Sequence, residues 1–167
     1  MLLSKPTTPA GAVAFTATLI CPIGSNPDST SISFSVDGGQ VQTPPSVPVL
    51  IIKQNFCQWE GFQIGGIEVG KSVMTGIGKN DKGIITATGY DWSELANGDH
   101  YLAQWQESAN AVGWAGYWQI ITGTGSLQGL TGIATFKELP AEPGASVIRA
   151  TVEGWYSLPA APSVKPV

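Results

Sequence analysis

Charge is scarce in this sequence: Asp, Glu, Lys and Arg make up 12% of its 167 residues, and the net charge is −4. The eight basic residues are scattered singly, so no basic patch exists to meet a phosphate backbone, which argues against nucleic acid as a partner. Histidine occurs once and cysteine twice, and neither Cys21 nor Cys57 has the spacing of a metal site. Two lone cysteines fit a reduced, cytoplasmic protein, with a single bridge between strands as the other reading. Long apolar runs are missing as well. Pro6 and Pro9 interrupt the N-terminal stretch before it could serve as a signal peptide, and no membrane span is evident. Helical periodicity nowhere extends far enough to matter.

What the chain does have is glycine (21), proline (12) and tryptophan (6), set among Val, Ile and Thr. That is the composition of short strands joined by tight turns, and the length suits one domain, residues 1–167, with proline-rich tails at 1–11 and 158–167. The organising stretch is Gly123-Thr124-Gly125-Ser126-Leu127-Gln128-Gly129-Leu130-Thr131-Gly132 between the strands 117–121 and 133–137. Its four glycines supply the positive φ angles and close approach that a sharp return needs. Leu127 and Leu130 are expected to plug one end of a closed sheet.

Further strands are expected at 12–20, 31–36, 49–56, 57–64, 67–75, 84–92, 100–108, 114–121, 133–138 and 147–157, with Gly61 as a break and one helical turn over 93–97 capped by Ser93. Turns are expected at 24–28, 37–39 and 80–83, and Pro44, Pro45 and Pro48 make a stiff connection. About eight or nine strands in meander spacing predict an all-β fold, a closed antiparallel β-barrel of about eight strands. A β-sandwich is the alternative.

Several motifs carry both a chemical and a plain structural reading. Gly65-Gly66-Ile67-Glu68-Val69-Gly70-Lys71-Ser72 matches the phosphate-loop pattern GxxxxGK[ST], but the strand-forming Val73-Met74-Thr75 follows where a helix is required, and Glu68 would put a carboxylate in the anion cradle. A glycine-broken hairpin is the preferred reading. His100 is the single candidate base for a Ser-His-Asp triad, and on a strand its neighbour Asp99 points the other way. Glu60, Glu107 and Glu153 are read as outward-facing, although a carboxylate inside the lumen could act as an acid or base.

From about Gly83 to Lys137 the sequence resembles the allene oxide cyclase/dirigent-like barrel superfamily, a calycin-like group. The resemblance rests on Gly98-Asp99-His100-Tyr101, Trp105, Trp118-Gln119-Ile120 and the 123–132 turn. Gly129-Leu130-Thr131-Gly132 and Gln63-Ile64-Gly65 are also similar to the small bacterial spirotetronate cyclases, which catalyse intramolecular [4+2] additions. The resemblance implies a shaped apolar lumen, no cofactor and catalysis by orientation. Strand parity then places Met74, Tyr90, Trp92, Gln104, Trp118 and Phe136 in the lumen, with Tyr90 or Trp118 as the donor that polarises a carbonyl and the others as substrate-binding residues. The expected activity is that of a cyclase or isomerase of secondary metabolism, in its specific form a Diels–Alderase acting on a small apolar or conjugated polyene. The alternative is a non-catalytic, lipocalin-like binding barrel. A homodimer is the expected assembly.

Overall fold

The computed structural model describes residues 5–22, 32–34, 49–82, 84–110, 112–141 and 143–159, with the main chain alone for 32–34 and 49–54. The expected turns at 24–28 and 37–39 and the Pro44–Pro48 connection lie outside the described residues. Among the described residues ten strands follow one another: β1 (Val13–Pro22), β2 (Ile32–Phe34), β3 (Val49–Glu60), β4 (Gln63–Ile64), β5 (Ile67–Asp81), β6 (Ile84–Leu95), β7 (His100–Asn110), β8 (Gly113–Gly123), β9 (Thr131–Glu138) and β10 (Val147–Ser157). Eight of them close into an antiparallel barrel in the order β3-β1-β10-β9-β8-β7-β6-β5, with β5 returning to β3. β2 pairs with β3, and β4 forms a small hairpin with β5.

Closure is uneven. β1 pairs with β10 over its full length and, among the described residues, with β3 through Thr18–Ile20 against Gln58–Glu60. Directly beyond that short ladder Cys21 and Cys57 form a disulfide, which corrects the reading of two lone thiols. Sequence spacing could not reveal the pair, because barrel closure alone brings positions 36 residues apart onto facing strands. Cross-linking a loop of that length stabilises a fold by roughly 4 kcal/mol in the chain-entropy description.

One end of the barrel is closed. Phe62, Ile64, Leu127 and Leu130 are buried there, Leu127 on a short 3-10 turn (Gly125–Leu127) within the glycine-rich return. Gly125 and Gly129 have φ of +53° and +77°, the left-handed region that glycine alone adopts without strain. Asp99 fastens this return by accepting the backbone N–H and the hydroxyl of Ser126, and these bonds hold its carboxyl below the usual range. Leu158, assigned to a tail by sequence, packs against the core. The expected helical turn at 93–97 is instead the end of β6, which runs to Leu95 before a turn whose Gly98 N–H bonds to the Leu95 carbonyl. Ser93 faces inward and caps nothing.

Aromatic rings fill the lumen where facing residues are small. A Cβ at Gly76 or Gly89, directly opposed on β5 and β6, would strike the ring of Trp105, and one at Gly116 would strike Phe136. At Gly89 the collision would extend to the carbonyl oxygen of Thr75, part of the rigid ladder. Gly89→Ala is therefore expected to cost about 3 kcal/mol, the upper end for overpacking. Chemical denaturation measures this, and a variant as stable as the parent would show that the Trp105 ring is not confined there.

Candidate functional site

The inward row of β6 is Ala87, Gly89, Asp91, Ser93 and Leu95; that of β7 is Tyr101, Ala103, Trp105 and Glu107. Asp91 therefore enters the lumen and is 1% exposed. Register sets Ser72 of β5 opposite Ser93 and Met74 opposite Asp91. The Ser72 hydroxyl donates to the carboxylate, as does the Ser93 hydroxyl at 3.1 Å. Trp118, reaching in from β8, donates its Nε1–H at 3.1 Å. Trp59 Nε1 donates in turn to the Ser93 oxygen at 3.1 Å, which carries the network to β3.

Burial pushes the Asp91 carboxyl up from its ordinary 3.8 to about 6, against the lowering effect of the bonds from Ser72, Trp118 and Ser93. Tyr101 lies beside this group. Burial first, and then the Asp91 charge, hold its phenol well above the ordinary value, so it stays a donor. Ser93 and Trp59 are near enough to influence the phenol, yet its oxygen completes no hydrogen bond of proper geometry, which is unusual for a residue 1% exposed. Apolar rings surround the cluster: Trp118 meets Tyr101 edge-on at 5.5 Å, and Trp59 at 6.0 Å. A carboxyl able to hold or release a proton near neutrality and an adjacent phenolic donor form an acid–base pair in apolar walls.

Toward the end opposite the plug, among the described residues, two concavities of about 550 and 490 Å³ adjoin at Gln106 and Glu107. Trp114 and Phe136 stand at this end with their rings 4.7 Å apart. Glu107 was expected to face outward; it faces inward and accepts the indole N–H of Trp114. Glu60 and Glu153 do face outward, near Arg149 and Lys5 respectively.

Of the six residues placed in the lumen by parity, Met74, Trp118 and Phe136 are there, each no more than 4% exposed. Tyr90, Trp92 and Gln104 are not. Tyr90 is 50% and Trp92 39% exposed, Trp92 lies against His100 with ring centroids 4.9 Å apart, and Gln104 is exposed on β7. The parity reading of β6 and β7 is off by one residue because the inward residues of β6 are mostly small or polar and the outward ones include the large aromatics. Trp118 commits its N–H to Asp91, so it holds the carboxylate in place. Asp91 escaped sequence reasoning, since a lone Asp between Tyr90 and Trp92 reads as an outward polar residue, while the sequence singles out Ser72, Ser93 and Tyr101 only as part of the phosphate-loop match, as a helix cap and as part of the resemblance. The phosphate-loop match is a turn followed by β5, with Ser72 pointing at Asp91. No triad forms at His100: the Ser126 hydroxyl bonds to Asp99, while the imidazole Nδ1 lies 3.3 Å from the Gly98 carbonyl.

The sequence matches no protein-family model and no curated protein. In structure the chain is similar to the pterocarpan synthase dirigent protein PsPTS1, with a TM-score of 0.53, 10% identity and coverage of 89% of this chain and 97% of the other. It is also similar to the pterocarpan synthase dirigent protein GePTS1, with a TM-score of 0.50, 9% identity and coverage of 88% and 90%. At such identity the likeness is one of fold, a dirigent-like eight-stranded barrel.

The raised pKa of Asp91 has a thermodynamic consequence. The folded state holds this proton more tightly than the unfolded chain, so the stabilisation is complete below pH 4 and is lost as pH rises through about 6. The shift corresponds to about 3 kcal/mol. Denaturation curves between pH 4 and 7 are expected to show this loss in the parent and not in Asp91→Asn; parallel curves would remove Asp91 as the titrating group.

Proposed function

We propose that this protein is a cofactor-independent cyclase or isomerase that folds a small conjugated molecule inside its barrel, with the Asp91 carboxyl as the acid–base or hydrogen-bonding group at the reacting centre. The observation that carries this reading is the wholly buried Asp91 carboxyl, poised near pH 6 among Ser72, Ser93 and Trp118. Acid–base groups poised near the working pH contribute about 10²–10⁴ in rate. Orientation of a flexible substrate by shaped walls contributes up to about 7–11 kcal/mol in well-matched intramolecular cases.

Tyr101 takes the role that sequence assigned to Tyr90 or Trp118: its uncommitted hydroxyl donates to a substrate oxygen as charge develops there. Substrate approaches from the end opposite the plug, past Trp114 and Phe136. Met74, the register neighbour of Asp91, is an unbranched side chain able to yield to it. The specific form is an intramolecular [4+2] cycloaddition of a linear polyene, nearest in kind to the bacterial spirotetronate cyclases that the sequence resembles; no proton changes hands in that step, and the Tyr101 hydroxyl and the protonated Asp91 carboxyl act in it by hydrogen bonding to the dienophile carbonyl. The structural neighbours bear the name pterocarpan synthase, which supports reading such a barrel as a vessel for reaction. A second reading, a barrel that binds a ligand without turnover, draws on the dense aromatic packing of the closed half, where Phe62 contacts five other rings.

Incubation with linear diene–dienophile substrates of tetronate and tetramate type, followed by mass-resolved chromatography, tests the proposal. The expected outcome is a product of unchanged mass and new retention time, formed faster than without protein, with Asp91→Asn slower by about 10² through loss of the carboxyl donor. Ligand retained and recovered intact would instead establish the binding barrel.

A further inference from the structure

Three of the inward-facing indoles are committed to carboxylate or hydroxyl oxygens. Trp59 donates its Nε1–H to Ser93, Trp118 to Asp91 and Trp114 to Glu107. Trp105 is the exception: its side chain is wholly buried, yet its Nε1–H has no hydrogen-bond partner. Among the described residues two buried side-chain polar atoms stand in this state, Trp105 Nε1 and the Tyr101 hydroxyl. A buried donor without an acceptor costs the folded state its desolvation, so each such group calls for an explanation.

Both donors stand on the inward face of β7, and register sets their depth. Ala103, between them, is opposite Asp91; Tyr101 is opposite Ser93, and Trp105 is opposite Gly89. The two donors therefore straddle the level of the Asp91 carboxyl, with about 13 Å of strand between their backbones. The Tyr101 ring packs edge-on against Phe62 of the plug. The Trp105 ring rests instead on β5 and β6. A Cβ at Gly76 or Gly89 would strike its Cζ2, the ring atom next but one to Nε1, so the edge carrying the N–H lies beside two residues without side chains. The Thr88 hydroxyl donates to the Trp105 carbonyl at 3.0 Å and fixes the backbone from which the ring projects.

We propose that Trp105 is a specificity-determining residue whose Nε1–H donates to a second oxygen of the substrate, on the far side of Asp91 from the oxygen that Tyr101 takes. This inference deepens the proposed function and rests on it for placing a substrate in the lumen. The substrate class narrows to conjugated molecules with acceptor oxygens, carbonyl or ether, at two separate positions along their length. An indole N–H can only donate. A molecule with carbon at that position leaves it buried and unpaired, which is how a polar site rejects an analogue of nearly the same shape. Held at both oxygens, the segment between them lies beside Asp91, where orientation counts most.

Two probes of one chain length test this by titration calorimetry: a linear tetraene with a methyl ester at each end, and the same tetraene with an ester at one end only. The parent protein is expected to bind the diester at least about tenfold more tightly. Replacing the Trp105 indole by benzothiophene, through incorporation of benzothienylalanine at that position, puts sulfur where the N–H stands and keeps the shape of the ring. The resulting protein is expected to lose the preference for the diester, while its denaturation midpoint equals or exceeds that of the parent, because no hydrogen bond is broken in the free protein. Equal binding of the two esters by the parent, or binding of neither, would overturn the proposal. So would a lowered midpoint in the benzothiophene protein, which would show the N–H already satisfied in the free protein by buried water. Neither measurement requires turnover, so the anchor can fail while Asp91-dependent cyclisation stands, and hold where the barrel binds without converting.

Discussion

A carboxyl group taken wholly out of water is the constraint on which the rest of this barrel depends. Desolvating an anion is so unfavourable that Asp91 must either keep its proton or be surrounded by donors, and here both tendencies operate. The donors come from β5, β6 and β8, and Ser93 extends the set to Trp59 of β3. Four strands are thereby indexed to one side chain. A slip of one residue along β6 would turn Asp91 and Ser93 outward and leave the Ser72 hydroxyl and the indole N–H groups of Trp118 and Trp59 without their acceptors, so the polar cluster fixes register as firmly as the apolar residues do.

Space is the second constraint. An eight-stranded barrel is just wide enough for its own side chains to fill, and this chain divides that volume unequally. Phe15, Trp59, Phe62, Tyr101, Trp118 and Tyr156 pack face and edge in the closed half. Toward the other end the inward residues of β5, β6 and β8 include Gly78, Ala87 and Gly116, and the wall becomes concave. Asp91 and Tyr101 thus belong to the closed half, and Trp105, seated on Gly76 and Gly89, follows them on the lumenal face toward the concave half.

Much of the architecture was legible in the sequence, because turns and strand lengths are written in local chemistry. The glycines of the 123–132 return, the Leu127 and Leu130 plugs and the span of β10 could be read from residue type alone. The inward face of β6 could not. Hydrophobic alternation assumes that large apolar side chains point inward, yet β6 sends Tyr90 and Trp92 outward and turns Gly89 and Asp91 inward, to accommodate Trp105 from β7 and the indole of Trp118. Such a reversal is a property of neighbouring strands and has no signature within the strand itself. The disulfide escaped for the same reason, since it depends on which edges meet at closure.

The ladder between β1 and β10 carries a further consequence. Register joins Val13 to Tyr156 and Pro22 to Val147, so one of the longest ladders of the wall unites the first strand with the last. During synthesis on a ribosome, β1 waits through more than a hundred residues before its β10 partner emerges, and β9, once made, presents an open edge until β10 follows. Nonlocal pairing of this kind folds slowly and exposes unpaired strands to neighbouring chains. The final strand is therefore what converts a curling, adhesive sheet into a vessel with an inside.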